Sequence, residues 1–139
     1  MLFVKKIYND AIIPKRATSG SAGYDIHSYG DYEIEPQKWL LLDTGIGFTV
    51  PEGTYGQLAP RSGFSCKGTI VGAGVIDRDY TGHVRVLVFN MNTNVNMIIK
   101  KGDRIAQLLI KQILTCDVSE VLSLEESTRG GSGFGSTGV

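Results

Sequence analysis

Ten residues near the C-terminus, RGGSGFGSTG at 129–138, combine a guanidinium, hydroxyls, one aromatic ring and five glycines. Successive glycines let consecutive backbone N–H groups turn toward one point and cradle an anion. Ser136 and Thr137 add hydroxyl donors, and Arg129 adds a fork shaped for phosphate. Phe134, the lone aromatic of the segment, offers a face on which a base can stack. Two familiar glycine patterns match here and fail on context. The run from Gly133 to Gly138 has the dinucleotide-fingerprint spacing, but no strand–turn–helix unit frames it. Gly130 with Gly135, Ser136 and Thr137 resembles a phosphate-binding loop, but Ser136 stands where that loop needs lysine. The competing reading is a loose terminus without a role.

Other segments supply the rest of a possible chemistry. In GVIDRDYTG at 74–82, Asp77 follows the apolar pair Val75-Ile76. If that pair is buried, Asp77 is a rigidly held carboxylate able to take a proton from water. Tyr80 then offers a flat face to a sugar. As a plain turn, the same residues need no function. Arg61, Ser62 and Gly63 place a cation, a hydroxyl and a glycine N–H in one turn after Pro60, which suits phosphate and equally suits a strand-to-helix corner. GDRIAQL at 102–108 reads as a turn with an internal Asp103–Arg104 pair, followed by Gln107 on a strand. Asp25, beside the Gly23 turn, is one more carboxylate. His27 and His83 lack zinc-ligand spacing and read as surface or packed imidazoles.

The elements that must position these groups are short. The chain has 139 residues, enough for one core, and 18 of them are glycine. Between the glycines lie runs rich in β-branched and aromatic residues, giving expected strands at 2–8, 24–28, 32–35, 39–43, 45–50 and 53–59. Further strands are expected at 69–71, 74–76, 83–90, 95–100, 104–113 and 117–122, with one helical turn after Pro60. The apolar spacing of 104–114 also fits a helix, but an all-β neighbourhood favours a strand. The expectation is an all-β sandwich, barrel or jelly roll over residues 1–127. Residues 128–139 cannot bury enough surface to hold themselves in place and are expected to form a mobile arm.

Lys plus Arg equals Asp plus Glu at 14 each, with no basic stripe, which argues against nucleic acid as partner and leaves small anions open. Two cysteines form neither a metal pattern nor a disulfide framework. No apolar run is long enough to span a membrane, and the N-terminus lacks signal-peptide order. The expectation is a soluble intracellular protein of the cytoplasm or nucleus.

Five segments occur in order: AGYDI at 22–26, PRSG at 60–63, GVIDRDYTG at 74–82, GDRIAQL at 102–108 and RGGSGFGSTG at 129–138. Together they resemble the trimeric dUTP pyrophosphatase (dUTPase) family along almost the whole chain. The resemblance implies a jelly-roll homotrimer with active sites at subunit contacts. It implies hydrolysis of dUTP to dUMP and pyrophosphate, limiting uracil incorporation into DNA. In that scheme Asp77 activates a water for attack on the α-phosphorus. Mg²⁺ chelates the triphosphate, and its bound waters touch Asp25. Arg61, Ser62, Gly63 and Gln107 contact phosphates, while Asp103 and Arg104 act as supports. Arg129 clamps the γ-phosphate, Phe134 covers the uracil, and Gly135, Ser136 and Thr137 lie near the phosphates. Tyr80 sits under the deoxyribose and excludes a 2′-hydroxyl. The uracil is read by backbone groups of the 74–82 hairpin, Gly74 and Val75 included. A dCTP deaminase-like enzyme and a non-catalytic nucleotide-sensing module on the same fold are the alternatives.

Overall fold

A computed structural model describes residues 1–133 of the chain. Its strands are β1 Phe3–Lys6, β2 Tyr24–His27, β3 Tyr32–Ile34, β4 Trp39–Asp43, β5 Ile46–Thr49 and β6 Thr54–Ala59. A single helical turn, α1 Ser62–Ser65, precedes β7 Thr69–Gly72, β8 Val75–Ile76, β9 Arg85–Asn90, β10 Met97–Ile99 and β11 Arg104–Gln112. Every pairing between strands is antiparallel. The larger sheets run β2-β11-β6-β8 and β4-β9-β7, and the pairs β1-β5 and β10-β3 complete the layers. This is a jelly-roll-like sandwich, with no closed barrel among the described residues. No helix there is long and apolar enough to cross a membrane.

Alternation places the core. On β9, Val86, Val88 and Asn90 point inward while Arg85, Leu87 and Phe89 point outward. The inward residues meet Ile26, Leu42, Ile46, Ile99, Ile105 and Leu108, all fully buried. Buried Asn90 is satisfied by donating Nδ2 to Ile34 O at 2.9 Å and Val95 O at 2.8 Å. The outward face of β4-β9-β7 is also apolar. Register sets Trp39 beside Phe89 and Phe89 beside Ile70, with Leu41 beside Leu87 in the next row. Trp39 and Ile70 are 61% and 50% exposed, so this face is open in the single chain.

Eleven of the expected strands form, most trimmed by a residue or two at their ends, and 104–112 is a strand. The strand expected at 117–122 does not form. Residues 111–132 are exposed throughout, and Leu114, Val118, Leu122 and Leu124 are left uncovered among the described residues. An apolar run without a partner strand has nowhere to place its backbone hydrogen bonds.

Candidate functional site

β11 is the central strand that assembles one half of the candidate site. Its Gln107 lies opposite Asp25 of β2 on one side and Ala59 of β6 on the other. Asp25 is thereby brought beside the turn that follows Ala59. Pro60 and an extended Arg61 (φ −95°, ψ 142°) lead into α1, whose Phe64 and Ser65 N–H groups donate to Arg61 O. The N–H groups of Ser62 and Gly63 open the helix, where no intrahelical acceptor exists, and are left for a ligand. A methyl group added at Gly63 would meet only open space.

These residues enclose a cleft of about 490 Å³ lined by Asp25, Arg61, Ser62, Gly63, Arg104 and Gln107. Asp25 has a side chain only 15% exposed, and Arg61 Nε contacts its Oδ1 at 2.9 Å. Arg104 Nη1 approaches the other oxygen at 3.5 Å, a charge contact at the outer limit of hydrogen bonding. Gln107 Nε2 donates to Pro60 O at 2.9 Å, tying β11 to the turn. Gly23 makes room for this amide, since a Cβ there would lie 2.4 Å from Gln107 Oε1 and 2.9 Å from its Cβ. The cleft therefore holds a guanidinium, a hydroxyl, free N–H groups, an amide and one carboxylate: donors for several phosphates and one anchor for a hydrated cation. No group of three or more metal-binding side chains occurs among the described residues. A lone carboxylate fits Mg²⁺ that arrives on phosphate and keeps its waters, not a cage built by the protein.

Asp77, Val75 and Tyr80 are not part of this cluster. β8 pairs with β6 so that Val75 faces Gln57 and Ile76 faces Gly56. Continuing antiparallel, Asp77 lies toward the Tyr55 end of β6, whereas Arg61 follows the Ala59 end. At ~3.3 Å per residue the two ends are ~15 Å apart. Gly74 anchors the hairpin: its φ is +97°, its carbonyl accepts from Leu58 N at 2.7 Å, and a Cβ there would be 2.6 Å from Leu58 O. Tyr80 N donates to Asp77 O, and Tyr80 Oη donates to His83 O at 2.8 Å, leaving the ring 45% exposed.

Two expectations need correction. Val75 is not buried but 62% exposed, because β8 is an edge strand and only Ile76 turns toward the core. Arg104 makes no pair with Asp103. Asp103 closes the turn before β11, its Oδ2 accepting from Lys100 N, while Arg104 opens the strand and crosses to Asp25. The resemblance gives Arg104 only the part of a support; its contact with Asp25 has no local signal in the sequence, and the GYD order is the one hint of the need for Gly23. His27, half-buried beside Arg104, has an Nδ1 without a partner. Burial holds its pKa below the ordinary imidazole value. Arg129 is exposed, with Nε donating to Ser132 O at 2.9 Å. Phe134, Gly135, Ser136 and Thr137 lie outside the described residues.

Known proteins resemble this chain along nearly its whole length. The dUTPase family model matches residues 9–138. The deoxyuridine 5′-triphosphate nucleotidohydrolase of Paramecium bursaria Chlorella virus 1 is 51% identical, covering 99% of this chain and 98% of its own. The enzyme of the same name from Arabidopsis thaliana is 50% identical over 98% of this chain and 82% of its own. Among solved structures, the Staphylococcus bacteriophage 80alpha dUTPase with dUpNHpp superposes with a TM-score of 0.92 at 32% identity, covering 100% of this chain and 99% of its own. A dUTPase variant from phage phi11 of S. aureus, described as coordinating a structural Mg(II) ion, has a TM-score of 0.84 at 28% identity, covering 91% of this chain and 99% of its own. A family model over residues 9–138 and relatives about half-identical over nearly the whole chain lead to one conclusion: the chain belongs to the dUTPase family.

Proposed function

We propose that the protein hydrolyses dUTP to dUMP and pyrophosphate in the soluble nucleotide pool of the cytoplasm or nucleus. The observation that carries this reading is the cleft in which Arg61, Ser62, Gly63 and Gln107 converge around a single carboxylate, Asp25. Its donors suit a chain of phosphates, and its carboxylate suits the waters of a magnesium ion bound to them. Bound Mg²⁺ would supply charge neutralisation across the triphosphate. Arg61 holds Asp25 through Nε, which leaves its two Nη groups for phosphate oxygens.

The reacting water is activated by Asp77. Its carboxylate takes the water's proton as the oxygen attacks the α-phosphorus; the bond to the α–β bridging oxygen breaks and pyrophosphate leaves. The exposed ring of Tyr80 packs under the deoxyribose, and backbone groups around Gly74 and Val75 read the uracil. Arg129 and Phe134 contact the γ-phosphate and the base, with Gly135, Ser136 and Thr137 beside the phosphates.

Asp77 stands ~15 Å from the phosphate cleft in one chain, far beyond the hydrogen-bond reach a base requires. A homotrimer in which the hairpin of one copy faces the cleft of the next resolves the separation. The open apolar face around Trp39, Phe89 and Ile70 and the uncovered apolar residues beyond Gln112 support such an assembly. Pyrophosphate release from dUTP, dTTP, UTP and dCTP, measured side by side with Mg²⁺, tests the reading. Release confined to dUTP is expected. Ammonia from dCTP without pyrophosphate from dUTP, or binding of dUTP without turnover, overturns it.

A further inference from the structure

Three clefts meet at Arg104, and Asp25 lines two of them. One is the phosphate cleft; the second is lined by Phe64, Lys67 and Met97, and the third by Lys15, Asp10 and His27. Arg104 is the residue that lines all three. Its direction is set by an irregularity in β11. Arg104 stands opposite His27 and Ala106 opposite Ile26, so Ile105 is an extra residue in the ladder. A bulge of this kind bends the strand and re-aims the side chain next to it. Here it sends the guanidinium of Arg104 toward Asp25, while Ile105 drops fully into the core.

The two carboxylate oxygens of Asp25 are thereby divided between two arginines, Oδ1 with Arg61 and Oδ2 with Arg104. We propose that Arg104 is a positioning residue for dUTP hydrolysis: by occupying Oδ2 it limits Arg61 to a single contact with Asp25 and keeps the Arg61 fork free for phosphate. This rests on the function proposed above. The reasoning is competition. A mostly buried carboxylate needs its charge compensated, and an arginine fork prefers to grip both oxygens of one carboxylate. With Arg104 absent, Arg61 is the nearest donor for Oδ2 and closes on Asp25 in two-point fashion. That withdraws the Nη groups from the phosphate cleft and turns the carboxylate away from the waters of a bound cation. Arg104 thus acts through Asp25 and Arg61, without touching the substrate.

A double-mutant cycle separates this role from direct contact and from simple destabilisation. The readout is calorimetric binding of the imido-linked dUTP analogue in the presence of Mg²⁺, with melting curves as a control for folding. Arg104→Gln is expected to weaken binding by ~10-fold in the wild-type background but by less than ~2-fold in the Arg61→Gln background, where no fork remains to be captured. Arg104→Lys keeps the charge but loses the planar fork; its expected loss is ~3-fold, and it carries the same cycle if the glutamine variant does not fold. Equal losses in both backgrounds would show that Arg104 contacts phosphate itself and overturn the proposal. So would unchanged binding in both. Absence of dUTP turnover by the wild-type protein signals failure of the functional reading instead, because the cycle is read from binding and not from activity.

Discussion

If the Asp77 hairpin of one copy serves the phosphate cleft of the next, two inactive proteins can repair one another. Asp77→Asn removes the base and leaves the cleft intact; Arg61→Gln removes a phosphate ligand and leaves the base intact. Each alone is expected to lose at least ~100-fold in turnover. The magnitude for a mixture follows from the register of β6 and β8, which puts the two groups ~15 Å apart within a chain. In a cyclic trimer each site takes Asp77 from one copy and Arg61 from its neighbour. When equal amounts are unfolded together and refolded, a given site has an intact base with probability one half and an intact cleft with the same probability. About one quarter of the sites are whole, so the mixture recovers ~25% of wild-type activity from parents at ~1%. Pyrophosphate release after co-refolding is the assay, with the separately refolded parents mixed at the end as the control. Activity no higher than the sum of the parents would refute the shared site, provided the mixture elutes as trimers containing both chains.

The remaining predictions concern single positions. Asp77→Asn alone should bind dUTP within ~10-fold of wild type while losing at least ~100-fold in turnover, since it keeps the hydrogen-bonding shape but not the base; near-normal turnover in a steady-state assay sinks its assigned role. Gly74→Ala meets both the positive φ and the Leu58 carbonyl. The strained backbone and the lost β6–β8 hydrogen bond are expected to cost about 2–4 kcal/mol, which lowers the melting midpoint by several degrees and impairs turnover with it; calorimetry and pyrophosphate release check both. Asp10 is held below its ordinary carboxylate value of 3.8 by hydrogen bonds from Lys101 and then Tyr29. Its contribution to stability is therefore present above 3.8 and lost as pH falls through the lower folded value. Lys101→Met should accordingly melt below wild type near neutral pH and match it at the acid end, as followed by thermal denaturation across pH.

Much of the fold is legible in the residues themselves. The stretch 39–43 is a strand to the residue, because a β-rich run sits between polar neighbours that end it. The single turn after Pro60 follows from proline geometry. Partnership is what the pattern leaves out. Val75 and Val118 look like strand residues, yet the one lies on a sheet edge and the other pairs with no strand among the described residues. Arg104 shows the same limit at the site. Its sequence neighbour Asp103 was the obvious counter-charge, but the bulge at Ile105 and the pairing with β2 deliver it to Asp25, 79 residues away. Local propensity speaks to what a segment can become; register across strands decides what its side chains meet.

The contact between Asp25 and Arg61 has a bearing on selectivity in a crowded solution. A bare guanidinium in a cleft would attract any small anion, and orthophosphate and sulfate are plentiful in living cells. Here the cation already carries an internal anion as a placeholder, 2.9 Å away. An incoming ligand gains only what it offers beyond that placeholder. A single phosphate offers little more than the carboxylate does, whereas a chain of three with its metal would engage Arg61 and Asp25 at once and offset the disturbance of both. If the cleft binds dUTP as proposed, the resting ion pair sets a threshold in the number of charges a ligand must bring, and triphosphates pass it where single phosphates do not.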